Sequence, residues 1–211
     1  MPREGSLLSG KRWAVIFFMA LFGTASIMML CREVFIPMSA TGALRGLVGH
    51  DQTYYHSLAV VLAQEIKEKG WVAWTLRPNG QAPAAILGAL YVFFGPDSRV
   101  VILINALLHT VGTMALYGIV MRYVSWKVAL FLCTPFWFSP YQMMSLYSQP
   151  NKDSYAWAGA LILIYGWMEL ARHFQKAMPS MSKIWFRALF LVYAGATLMI
   201  LVRPYLVTFV V

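Results

Sequence analysis

Gly49-His50-Asp51-Gln52-Thr53-Tyr54-Tyr55 sets a carboxylate between an imidazole and two adjacent phenols, outside the first long apolar segment of the chain. A carboxylate at the rim of a bilayer can take a proton from a hydroxyl, and the rings of Tyr54 or Tyr55 can stack on a sugar. Ionisable groups at that depth are costly unless they are paired or functional. The stretch therefore predicts chemistry at a membrane surface on a lipid-linked substrate. Lys152, Asp153 and Arg203 also fall at the ends of apolar segments. Taken singly, Lys152 or Arg203 reads as a solvated or snorkelling base. Asp153 reads most simply as the cap of the helix that follows it. Their expected placement on the side of Asp51 makes the functional case. His50 and His56 flank Asp51, but their spacing fits no metal-ligand motif. His50 reads as an interfacial polar group or a contact to sugar or phosphate. No cofactor is called for.

The elements that must position these groups are apolar helices. Residues are 60% hydrophobic and 12% charged, which excludes an ordinary soluble domain. Segments at 13–31, 99–121, 126–147, 154–171 and 185–202 read as transmembrane spans, each near the roughly 20 residues that cross hydrocarbon. Unpaired backbone is excluded from lipid, so helices are expected, and the alternation of a membrane barrel is absent. The fold class predicted is all-α and polytopic, one transmembrane domain over 1–211. Arg3, Lys11 and Arg12 also suit the basic region of a signal peptide, but no small-residue cleavage site precedes Arg32, so an uncleaved span is the reading. Cys31 and Cys133 fall within predicted spans and read as small buried apolar residues.

A net charge of +9 invites a nucleic-acid reading, but its distribution points elsewhere. With the N-terminus in the cytoplasm, nine bases and two acids lie inside, a net of +7, which leaves +2 outside. That is the positive-inside bias of a plasma-membrane protein. Membrane lipids, and no nucleic acid, are the expected surroundings. The order also makes residues 32–98 one extracytoplasmic loop. Within it, Ala82 to Phe94 is apolar but only 13 residues long, the length of an interfacial or re-entrant helix. Tyr55 to Lys69 is amphipathic, with Leu58, Val61, Leu62, Glu65 and Ile66 on one side, and predicts a helix lying in the interface. Trp71 and Trp74 follow as aromatic anchors, and Trp137, Tyr141, Tyr147, Tyr155 and Trp157 bracket the same boundary. Asn105 and His109, one turn apart with Gly112 and Thr113 nearby, predict hydrogen bonds between helices.

The run Asp51–Ala63 (DQTYYHSLAVVLA) resembles the first external loop of GT-C glycosyltransferases, of the protein O-mannosyltransferase and aminoarabinose-transferase type. The order of elements is similar too: a first span, an Asp-bearing loop with interfacial helices, then an Asn-containing span (INALLHTVGTMALYGIV). The resemblance covers most of 13–211. It implies a polyprenyl-phosphate sugar as donor, Asp51 as general base, and Lys152 and Arg203 as the cations that meet the donor phosphate. His50, Tyr54, Tyr55 and Asp153 would be further substrate contacts. Many relatives carry a second acid directly after the first, where this chain has Gln52. Relatives are also more than twice as long, so further spans and an acceptor-binding domain are expected beyond Val211, with the apolar run from Leu206 as the start of the next. The rival reading is a carrier or flippase-like component, or a polymerase, of envelope polysaccharide synthesis, with Asn105 and His109 lining a path. A transporter needs ionisable groups near the midplane, whereas here only His109 is deep.

Overall fold

A computed structural model describes residues 10–36, 47, 50–139, 143, 148–174 and 183–206. Among them the chain is helical, with seven α-helices: α1 Gly10–Leu30, α2 His50–Lys69, α3 Ala82–Phe94, α4 Val101–Val120, α5 Trp126–Trp137, α6 Asp153–Phe174 and α7 Lys183–Val202. Three stretches are long and apolar enough to cross a membrane: Trp13–Phe35, Ser98–Val120 and Trp185–Val202. These match the first, second and fifth predicted spans. The first runs further than expected, because a π-helical turn, Cys31–Phe35, continues α1. Its wider winding turns Cys31, Arg32 and Ile36 inward together, so Arg32 is buried and does not open the loop.

The other two predicted spans differ. The stretch 126–147 is helical as α5 for only 12 residues. Pro135 removes one amide donor and Phe138 leaves helical geometry, so the helix stops at Trp137. Tyr141 and Tyr147 lie outside the described residues. The stretch 154–171 forms α6, whose 22 residues are long enough, although it does not reach the hydropathy of the other three. Glu169, together with the Ser, Tyr, Trp and Gly positions of α6, is the reason.

The chain divides into two compact units that interleave in sequence, in place of one domain with an appended loop. One comprises residues 1–22, 108–138 and 155–211. In it α4 and α6 run parallel. Gly112 lies so close to α6 that a Cβ there would come within 3.0 Å of Ala158 Cα, and Gly118 packs under the Tyr165 ring. Further along the same pair, Arg122 is ion-paired with Glu169 and lies over Tyr165. α6 and α7 run antiparallel and closer still. A Cβ on Gly159 would lie 2.8 Å from Gly195 O, one on Gly166 2.7 Å from Val192 N, and one on Gly195 2.5 Å from Leu163 N. These contacts are with backbone, which cannot rotate aside, so the three glycines set the approach of the two helices. α1, α4 and α5 share a core of Ala20, Tyr117, Ala129, Cys133 and Trp137, with Trp13 edge-on to Tyr117.

The second unit comprises 23–107 and 139–154. Its centre is an antiparallel hairpin of α2 and α3. Tyr55, Ala59, Leu62, Ala63 and Ile66 of α2 are buried, and Leu62 and Ile66 pack on Ala85 of α3. A Cβ on Gly88 would stand 3.1 Å from Leu62 Cδ2 and 3.2 Å from Ala59 O, so the hairpin closes over small residues. The expected face is thereby corrected: Val61 points out, and the apolar stripe of α2 is covered by α3. After α2, Gly70 takes φ +79°, a region that favours glycine, and turns the chain back. Trp74 then donates from Nε1 to Ala85 O at 3.1 Å, and Trp71 lies tilted against Phe93 with ring centroids 5.8 Å apart. Trp74 is thus a brace of the hairpin, and Trp71 alone of the pair is exposed.

Candidate functional site

The expected residues are placed as follows. Asp51 and His50 begin α2, both exposed, where a negative charge complements the positive end of the helix. Asp51 has no hydrogen bond or ion pair among the described residues, and no ion pair joins it to Lys152, which is half-buried in the same unit. Tyr54 is exposed and free to stack on a ligand, whereas Tyr55 is buried. Tyr55 lies on the stripe that packs on α3, four residues before Ala59, and this corrects its expected role as a stacking surface. Asp153 stands in the first turn of α6, but the cap is Asn151, whose Oδ1 accepts from Ser154 N at 2.9 Å. The sequence signal for this was present, an Asn three residues before the first buried serine of the helix. Arg203 follows α7 in the other unit and donates from Nη1 to the Tyr205 hydroxyl at 3.1 Å.

Sequence reasoning missed the group with the densest polar contacts. Arg32 is buried and donates from Nη1 to Ser148 O at 2.6 Å and from Nη2 to Ser98 Oγ. It thereby joins the end of the first span to the start of the second and to the segment before α6. A planar guanidinium with five fixed donors suits such a triple junction, where an ammonium would not. Around it, Tyr91 of α3 is buried and its hydroxyl is hydrogen-bonded to His56 Nδ1 at 2.6 Å. Burial raises the Tyr91 phenol well above its ordinary range, against the pull of Arg32, so it keeps its proton. Asp97 accepts from Arg99 N at 2.9 Å and from Arg99 Nε at 2.7 Å, and the side-chain hydrogen bond from Arg99 holds its carboxyl below the usual range.

The segment 148–154 is held by a second set of buried bonds. Asn105 of α4 donates from Nδ2 to Gln149 O at 2.8 Å, and Ser154 Oγ donates to Asn105 Oδ1 at 3.1 Å. Asn151 Nδ2 reaches the same Gln149 carbonyl at 3.2 Å. The helix-to-helix role expected of Asn105 is what its side chain performs. His109, in the other unit, is buried against the backbone carbonyls of Phe136 and Trp137. Thr113 donates to His109 O at 2.6 Å along the same stripe.

Chemically, the second unit presents an exposed, unpaired carboxylate and an exposed phenol on α2. The same unit holds a bonded scaffold of Arg32, Ser98, Asn105 and Asn151 that fixes the backbone on both sides of Lys152. No family model matches this chain, and no curated protein or solved structure does so either.

Proposed function

We propose that this chain serves the transfer of a sugar from a polyprenyl-phosphate donor to an acceptor at the extracytoplasmic face of the inner membrane, as a GT-C type glycosyltransferase does. The observation that carries the reading is the Asp51 carboxylate, exposed and unpaired among the described residues. It stands on a helical hairpin between two stretches able to cross a membrane. A carboxylate kept for proton transfer must stay open to its substrate.

In the proposed step Asp51 takes the proton of an acceptor hydroxyl while that oxygen bonds to the anomeric carbon. The bond from that carbon to the donor phosphate breaks, and the electron pair leaves on polyprenyl phosphate. A fixed cation stabilises that charge more at a dry rim than in water. Lys152 supplies it from the outer start of α6. His50 and Tyr54 are the open side chains beside Asp51 for substrate contact.

Five crossings with a cytoplasmic N-terminus complete the proposal. Its support is the parallel course of α6 beside α4, a helix able to cross, together with the pairing of Arg122 with Glu169, both assigned to the inner side by charge. Two parallel crossings need a return between them, and α5 stands between them in the chain. The carrier reading is less favoured, because Asn105 is occupied in holding α4 to Ser154 of α6 and to the segment before it. The test is direct: the protein in phosphatidylethanolamine/phosphatidylglycerol vesicles is given a radiolabelled polyprenyl-phosphate sugar and a crude acceptor extract. Release of polyprenyl phosphate with label in the acceptor is expected. Donor left intact, with none bound to the protein, would refute the function.

A further inference from the structure

On the hairpin of the second unit, one exposed patch is apolar and rich in aromatic rings. Trp71, Val72, Phe93 and Phe94 are all exposed, Val72 by 90% and Phe93 by 71%, and Trp71 rests against Phe93. The covered stripe of α2 cannot meet lipid, so the face that could was not the one its amphipathic pattern indicated. We propose that this patch docks into the headgroup layer of the bilayer and seats the hairpin on the membrane.

Three observations select lipid as the occupant. The first is reach. Phe94 is four residues from Ser98, where a stretch able to cross begins, and four residues extend no more than about 14 Å. The patch is thus held beside the boundary whatever the hairpin does. The second is chemistry: Trp71 carries an indole N–H and a large apolar body, the combination that favours the interface over either water or hydrocarbon. The third is charge. Lys67, Glu68 and Lys69 are exposed just before Trp71, so the patch is bordered by mixed charges that suit a polar headgroup layer. The inference is independent of sugar transfer and holds or fails without it.

A spin label at Val72→Cys tests it in proteoliposomes of phosphatidylcholine with phosphatidylglycerol. Val72 packs on nothing, so the substitution leaves the fold intact, and the native thiols Cys31 and Cys133 are buried from the reagent. The label is expected to relax more with oxygen than with an aqueous nickel chelate, at a depth in the headgroup layer. Adding Phe93→Asp is expected to return it to water, with at least a threefold gain in chelate accessibility. A label with the accessibility of free solvent in the unaltered patch overturns the proposal. So does a lipid-depth reading that Phe93→Asp leaves unchanged.

Discussion

Asp51→Asn is expected to lower sugar transfer by about 10²- to 10⁴-fold, the usual contribution of a general base, with membrane insertion unchanged. Asparagine has nearly the shape of aspartate and is accepted at a helix start, so α2 keeps its beginning. The substitution removes a favourable charge at the helix N-terminus, about 0.3–1 kcal/mol at an exposed site, too little to unfold the hairpin. Asp51 bonds to nothing among the described residues, so no buried partner is orphaned. Transfer rates at matched protein levels make the measurement. A variant within threefold of the parent would take Asp51 out of the reaction, and one absent from the membrane would assign it to folding.

Arg32→Ala carries the largest expected effect on stability, about 3 kcal/mol. Truncation strands the buried Ser148 carbonyl and Ser98 hydroxyl, each an unsatisfied group costing roughly 1–3 kcal/mol, and leaves a void where the side chain lay. Arg32→Lys is expected to recover less than half of the loss. One ammonium is a point donor and cannot span the two acceptors as the planar fork does. Unfolding in mixed detergent micelles, followed by tryptophan fluorescence, reads both variants. A loss below about 1 kcal/mol for the alanine variant would mean that Arg32 is not the junction of its unit.

Local pattern made much of this architecture legible. The three stretches able to cross, the 13-residue α3 and α2 from Tyr55 onward all follow from runs and periods a few residues long. What failed was long-range. Arg32 reads in sequence as the charge that ends a span, because nothing near it hints at Ser148, 116 residues away. The stripe of α2 was drawn through Val61 because leucine and valine outweigh alanine on any hydropathy count. The hairpin instead closes on Ala59, Ala63 and Gly88, whose small size lets the backbones approach. Tyr55 was lost as a stacking surface for the same reason, and Asp153 yielded its cap to Asn151. The third and fourth spans show a different effect. Pro135 outweighed apolarity in α5, while small and aromatic residues in α6 lower its hydropathy and build its contacts with α4 and α7.

The central claim is that Asp51 and the segment carrying Lys152 face the same, extracytoplasmic side. Single cysteines at Asp51, Lys152 and Ser125 in sealed right-side-out vesicles, treated with a membrane-impermeant maleimide, test it. Ser125 is exposed after α4 at the end assigned to the inner side. Positions 51 and 152 are expected to label in intact vesicles, and position 125 only after permeabilisation. Protection of position 51 or 152 until the vesicles are opened would place the carboxylate and its cation apart and contradict the account.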